Sequence, residues 1–283
     1  MEAKLQRRVQ RYGWDLAATA YEPLWRGPLQ PAQAALLALA RLAPGERVLD
    51  VACGTGLLSL PAAAAVGPRG RVVGIDLSAG MVAEARACAL AQANGAPLRF
   101  ERMDAEAIML DEQGFDVALC ALGLMYMPGP EQALREMRRL LRPGGRLLLL
   151  VWGEAAHCAW SSVFRIIDEE IEGDVCPLFF RLGAPGALRR CCEEAGFEAA
   201  TEHRLATTMH HAGADEACDA ALVGGPVALA WSRFDEGARR RVRLRYLEAI
   251  EPWRSGARYA LPAGFVIVEA RAAGRACGDQ PRT

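Results

Sequence analysis

"VLDVACGTGLLSL", residues 48–60, decides how this chain is read. Apolar residues flank an acid, Asp50. Cys53-Gly54-Thr55-Gly56 follows, and then an apolar run resumes. A short apolar strand that ends in two near-adjacent glycines and restarts at once as a helix reads either as a plain tight turn or as a turn that admits a ligand close to its backbone. Glycine tolerates the left-handed conformation such a turn needs, and the first amides of the following helix are left free to meet a ligand.

The rest of the chain repeats the alternation. Strands are predicted at 47–51, 71–76, 98–104, 115–120 and 146–152, with helices at 57–66, 78–94 and 131–141 between them. Ser78 is placed to cap the second helix, and "RPGG" stops the third. Short apolar strands alternating with amphipathic helices predict a parallel sheet covered on both faces. Past Trp152 the rhythm breaks. Helices are expected at 161–171 and 187–195, and Gly196 ends the second of them. A sixth strand is expected at 198–211, a strand-free helical stretch at 212–252 and a closing seventh strand at 265–272.

The ligand of an open parallel sheet lies beyond the carboxyl ends of its strands. Asp76 ends the second strand, twenty residues after Gly56. A carboxylate there can accept hydrogen bonds from both ribose hydroxyls, so turn and acid together point to an adenosine-like nucleoside. A dinucleotide calls for a third glycine, but Leu57, Leu58 and Ser59 follow Gly56. Asp50 at the mouth of the turn would repel a pyrophosphate and suit an amino group. S-adenosylmethionine carries an ammonium, a sulfonium and a ribose without phosphate, and the residue chemistry favours it.

The 283 residues are ordinary in composition, with 52% hydrophobic and 24% charged, and the formal net charge is −1. Nothing there suggests a nucleic-acid partner. "ARRRVRLRY", residues 238–246, looks basic, but Val242, Tyr246 and Ile250 share one helical face, so the arginines are expected on a solvated surface. Nine cysteines lack a framework spacing, and no secretory leader is seen, which predicts reduced thiols and a cytoplasmic setting. No zinc-ligand spacing occurs, so no metal is expected. Adjacent Cys191 and Cys192 are expected as one buried and one exposed helix residue. No apolar run reaches the length of a membrane helix, and no membrane partner is expected. The oligomeric state is not legible.

"VLDVACGTG", "GIDLS", "MDAEAI" and "FDVALCALGLMYMPGPEQALREMRRLLRPGGRL" occur in this order. Together they resemble successive motifs of the class I S-adenosylmethionine-dependent methyltransferases, in particular the ubiquinone/menaquinone-biosynthesis-type and related small-molecule enzymes. The resemblance covers about residues 44–152 and extends loosely to "LGAPGALRRCCEEAGF" and the last strand. It implies a Rossmann-like, seven-stranded, mostly parallel α/β sheet with helices on both faces and a helical cap. An N-terminal helical cap segment is expected at 1–43, the cofactor-binding core at 44–209, a helical lid insertion at 210–256, and the closing strand and tail at 257–283. The implied function is methyl transfer from S-adenosylmethionine to O, N or C of a small-molecule acceptor. A non-catalytic nucleoside-binding protein and a nicotinamide-dependent oxidoreductase are the alternatives.

Carried over by position, Asp50, Ala52, Gly54 and Gly56 would line the methionine moiety. Ala52 stands where the family has its first glycine. Asp76 would hold the ribose, with Leu77 and Met81 packed on the adenine. Asp104 would accept from the adenine amino group, with the Ala105 amide nearby, although a helix N-cap also explains an Asp at 104. Cys120 would offer its backbone carbonyl to the ammonium. A base matters only if the acceptor must lose a proton. Candidates are His157, with Glu154 beside it after the fifth strand, and His210 and His211 after the sixth. Tyr12, Tyr21 and Trp25, with Trp14, are expected to close the acceptor pocket.

Overall fold

A computed structural model of the chain describes residues 3–90, 96–111, 113–173 and 175–274. The N-terminal segment is one long helix, α1 (Ala3–Ala40), despite Pro23, Pro28 and Pro31 within it. Each proline lacks the amide that would close a helical hydrogen bond, so tertiary contacts must hold this half of α1. Its buried stripe supplies them through Trp25, Leu29, Ala32 and Leu36.

The core then alternates β1 (Arg47–Val51), α2 (Ser59–Val66), β2 (Arg71–Asp76), α3 (Ala79–Leu90), β3 (Leu98–Arg102), β4 (Phe115–Ala121), α4 (Pro130–Leu140) and β5 (Leu141–Trp152). The expected helix 78–94 is described only as far as Leu90, and 91–94 lie outside the described residues. Strand β5 begins directly after α4, five residues earlier than the hydrophobic run suggests. "RPGG" is absorbed as a register shift against β4. The remainder is α5 (Ser162–Ile171), α6 (Ala187–Glu194), β6 (Phe197–His211), α7 (Ala214–Leu222), α8 (Ala228–Ser232), α9 (Glu236–Ile250), β7 (Arg254–Ser255) and β8 (Arg258–Ala272).

The strand order is β3-β2-β1-β4-β5-β8-β6, with two-residue β7 paired to β8. Strands β3 to β5 are mutually parallel, and β8 runs antiparallel between β5 and β6. This is the mixed α/β sheet expected, with eight strands rather than seven because of the short β7 hairpin. β1 and β4 are buried on consecutive residues, as strands covered on both faces must be. Between β1 and β4 the connections depart in opposite directions, which opens a crevice at their carboxyl ends.

Helix α1 packs on α3, β5, β6, α7 and α8. Helix α9 buries Val242, Tyr246 and Ile250 on one face, and its arginines pair outward, Arg241 with Glu170, Arg243 with Asp215 and Arg245 with Glu169. The basic stretch is a salt-bridged helix surface. Cys191 and Cys192 depart from expectation, because both are buried. Burial and Glu131 push the Cys191 thiol up to about 12, and Cys192 is raised in the same way by burial. Both stay protonated near neutral pH. Among the described residues no helix is long and apolar enough to cross a membrane.

Candidate functional site

A cleft with about 110 Å³ of free space, partly open to solvent, lies at the carboxyl ends of the parallel strands. Each strand contributes the residues at its exit. Ala52 and Gly54 follow β1, and Asp76 and Leu77 end β2. Met103 to Glu106 follow β3, and Ala121 to Gly123 end β4. Met81 comes from α3, and Arg7, Gln10, Trp14 and Tyr21 come down from α1.

The glycine turn is built around Asp76. One carboxylate oxygen accepts from the Gly54 amide at 2.9 Å and the other from the Ser78 amide at 2.9 Å. A carboxylate offers about four acceptor positions, so two remain. Gly54 sits at φ +55° and Gly56 at φ +89°, where a side chain would be strained. A Cβ on Gly56 would also lie 3.3 Å from the Phe100 ring. Ala52 occupies the same left-handed region at φ +57°, as does Leu122 at φ +58° at the end of the neighbouring β4. Strained non-glycine backbone of this kind costs about 1–3 kcal/mol and clusters at functional sites.

Asp50 is buried behind the turn, and its carboxylate accepts from the Ser59 hydroxyl at 2.5 Å. Burial, with the nearby Asp76 charge adding, pushes its carboxyl up to about 7. Asp76 is raised too, chiefly by burial. Asp50, Gly56 and Cys120 are not among the residues lining the cleft. Cys120 is fully buried within the sheet, paired with Leu149, and Ala121, Leu122 and Gly123 form the wall at that point. Of the residues carried over for cofactor binding, the structure therefore brings Ala52, Gly54, Asp76, Leu77, Met81, Asp104 and Ala105 together on one surface.

Asp104 has two engagements. One oxygen accepts from the Glu106 amide at 2.9 Å, a local cap, and the other lies 3.2 Å from Arg7 Nε. Arg7 also pairs with Glu106, whose second oxygen accepts from the Gly129 amide. Asp15 accepts from the Ser78 hydroxyl at 2.6 Å and from the Gly80 amide at 3.0 Å. Helix α1 is thus latched to both rims of the cleft, by Arg7 at β3 and by Asp15 at α3. Neither residue is signalled by sequence spacing, because each meets partners about 65 to 100 positions away.

The histidines call for correction. β6 is an edge strand that runs through His211, so 210 and 211 belong to the sheet and not to the helical insertion. His210 is exposed opposite Ala260. His211 is buried opposite Tyr259, and burial lowers its pKa while Glu216 opposes that shift. His157 is exposed and sits against Gly264 of β8. Glu154 lies 3.7 Å from Arg204 of β6. The chain leaving β5 turns toward β8 and β6 and away from β4, so it carries both residues off the site. None of the four histidines lines the cleft. Tyr12 also faces outward, with the Arg11 guanidinium 4.6 Å from its ring.

Tyr21 and Trp25 do line a cavity. Behind the cleft, and sharing Trp14, Tyr21, Leu122 and Tyr126 with it, lies a narrow chamber of about 20 Å³ walled also by Trp25, Trp152, Trp160, Gly225 and Pro226. Its rings pack edge to face or tilted, with Trp14–Tyr126 at 5.3 Å, Trp25–Trp160 at 5.6 Å and Trp152–Trp160 at 4.8 Å between centroids. Among the described residues no charged one lines it. The insertion reaches the site only through Gly225-Pro226, held in place where Trp25 Nε1 donates to the Gly224 carbonyl at 2.9 Å. Burial raises the Tyr21 and Tyr126 hydroxyls, so both stay neutral.

Residues 48–145 match the family model described as a methyltransferase domain. A ubiquinone/menaquinone biosynthesis C-methyltransferase of Hahella chejuensis is 38% identical over 122 residues, 43% of this chain and 49% of that protein. The same-named enzyme of Pseudomonas paraeruginosa is 31% identical over 179 residues, 57% of this chain and 68% of the relative. The chain belongs to the S-adenosylmethionine-dependent methyltransferases. The match spans about half the length of the Hahella relative. Two solved structures share this chain's fold. The (4+2)-cyclase SpnF superposes with TM-score 0.61 at 22% identity, covering 95% of this chain and 97% of its own. Phosphoethanolamine N-methyltransferase 2 of Haemonchus contortus gives 0.59 at 16% identity, covering 92% of this chain and 57% of its own. Such distant likenesses speak to the fold alone, and a cyclase among them shows that this fold hosts more than one chemistry.

Proposed function

We propose that this methyltransferase moves the methyl group of S-adenosylmethionine to a small, uncharged, largely apolar acceptor. The observation that carries the reading is Asp76. Its carboxylate is held by one backbone amide per oxygen and still presents free acceptor positions to a cleft whose other acids, Asp104 and Glu106, are joined by the Arg7 cation, with Gln10, Tyr21, Tyr126 and apolar groups completing the lining. That lining fits the molecule, since Asp76 suits a ribose and the acidic wall suits a sulfonium and an ammonium better than a pyrophosphate. Leu77 and Met81 would flank the adenine, and Asp104 with the Ala105 amide would meet its polar edge. Ala52 and Gly54 would run beside the methionine part, with Asp50 acting from behind them through its charge.

When bound, S-adenosylmethionine supplies an electrophilic methyl group whose leaving sulfur is neutral, so no acid is needed. The protein's share is alignment, which can lower a barrier by about 7–11 kcal/mol. Leu122, Tyr126, Trp14 and Tyr21 stand between cleft and chamber and would hold the acceptor in line. The neutral tyrosines are donors rather than bases. A small-molecule role in the cytoplasm belongs to the same proposal. The test is turnover, with extracts fractionated by polarity, labelled S-adenosylmethionine and detection of S-adenosylhomocysteine. Labelled products confined to apolar fractions are expected. Binding without turnover on any fraction would contradict the proposal.

The raised acids give a pH dependence. A cation arriving at the cleft favours the ionised forms, so the Asp50 and Asp76 carboxyls fall in pKa on binding. Binding then releases protons, and affinity rises as pH is raised through about 7, the value of the Asp50 carboxyl. Calorimetry near neutral pH in two buffers of different ionisation enthalpy measures this. Heats that are independent of buffer would contradict it.

A further inference from the structure

The outer face of α1 takes no part in the cleft, yet it is patterned. Leu5, Tyr12 and Leu16 are 49%, 45% and 51% exposed, and half-buried Val9 lies between them. Positions 5, 9, 12 and 16 follow the 4-3-4 spacing that places residues on one stripe of a helix. Beside the stripe stand Lys4, Arg8 and Arg11, which make no ion pair among the described residues. The Arg11 and Arg8 guanidinium carbons lie 4.6 and 5.9 Å from the centroid of the Tyr12 ring.

We infer that this face of α1 docks on an anionic membrane surface. Apolar side chains flanked by unpaired cations on one helix are the composition of an interfacial helix that lies in the headgroup plane. The leucines and Tyr12 would enter the acyl boundary. The long basic side chains would reach back to acidic headgroups, each cation adding to the attraction near the surface. A second copy of the chain fits the stripe less well. Antiparallel pairing of two α1 faces would set Arg8 and Arg11 against the same arginines of the other copy. The nearest acid on α1, Asp15, is already committed to Ser78 and Gly80. A hydropathy window cannot see this feature, since the apolar residues are four positions interleaved with charge. The inference concerns surface attachment and stands independently of the proposed chemistry.

The test is co-sedimentation of the full chain with vesicles of phosphatidylcholine, with and without about one quarter phosphatidylglycerol. Binding to the anionic vesicles only is expected, and high salt should release it. Leu5→Ser/Leu16→Ser and Lys4→Glu/Arg8→Glu should each weaken binding at least about tenfold, with melting temperatures unchanged because all four side chains project into solvent. Absence of sedimentation with the anionic vesicles would overturn the inference. So would binding that survives both double substitutions. Concentration-dependent dimerisation of the wild type that the leucine variant abolishes would assign the stripe to a second copy instead.

Discussion

Asp76→Ala is expected to weaken S-adenosylmethionine binding by at least about a hundredfold. Two hydrogen bonds from ribose hydroxyls to a carboxylate contribute about 1.5–3 kcal/mol each, and each ~1.4 kcal/mol is tenfold in affinity. The geometry adds a second loss, because the same carboxylate accepts from the Gly54 and Ser78 amides. The alanine variant therefore loosens the glycine turn as well as removing the ribose acceptor. Its effect on folding should be smaller than its effect on binding, since removing a buried acid of raised pKa offsets part of the lost hydrogen bonding. Asp76→Asn keeps one acceptor oxygen and should fall between the two. Calorimetric affinities alongside melting temperatures check this. A folded Asp76→Ala protein with wild-type affinity would remove the ribose assignment.

Gly123→Ala should be the most damaging small substitution at the site. A Cβ on Gly123 would lie 2.3 Å from the Ala52 Cβ and 3.3 Å from Cys120 Sγ. Neither neighbour can swing away, because Ala52 is fixed by its backbone and Cys120 is packed inside β4. Overpacking of this kind costs about 1–3 kcal/mol, and here it also displaces the turn that lines the cleft. The family's glycine at 52 would remove the obstacle. Ala52→Gly should therefore be near neutral alone, since relief of left-handed strain of about 1–2 kcal/mol is offset by the entropy that glycine loses, about 0.5–1 kcal/mol. In the double variant it should restore most of the stability and binding lost in Gly123→Ala. Melting and affinity measured around the four-member cycle give the coupling. A double variant no better than Gly123→Ala alone would show that the two positions do not constrain each other.

The same pair shows where sequence stops being legible. The spacing of glycines and Asp76 is local, and it placed the turn and the ribose acceptor without a structure, while Ala52, Leu77, Met81, Asp104 and Ala105 came from the resemblance to the methyltransferases. That alanine at 52 demands glycine at 123 is a contact across two strands, and no window contains both. The chamber is harder still. Trp25, Tyr126, Trp152 and Trp160 come from α1, the exit of β4, the end of β5 and the loop beyond it, and only the sheet order brings them together. His157 and His210 were misplaced for the converse reason. A position just after a strand on the ligand side says nothing of which neighbour the chain turns toward, and the antiparallel β8 draws that end of the sheet away from β4.

The central claim is that the cleft at the ends of β1, β2 and β4 takes S-adenosylmethionine, and titration of the full chain with that molecule and with a nicotinamide dinucleotide tests it most directly. One equivalent of S-adenosylmethionine should bind and raise the melting temperature, as any ligand selective for the folded state must, while the dinucleotide should give neither heat nor stabilisation. Saturable binding of the dinucleotide, with no response to S-adenosylmethionine, would contradict the account.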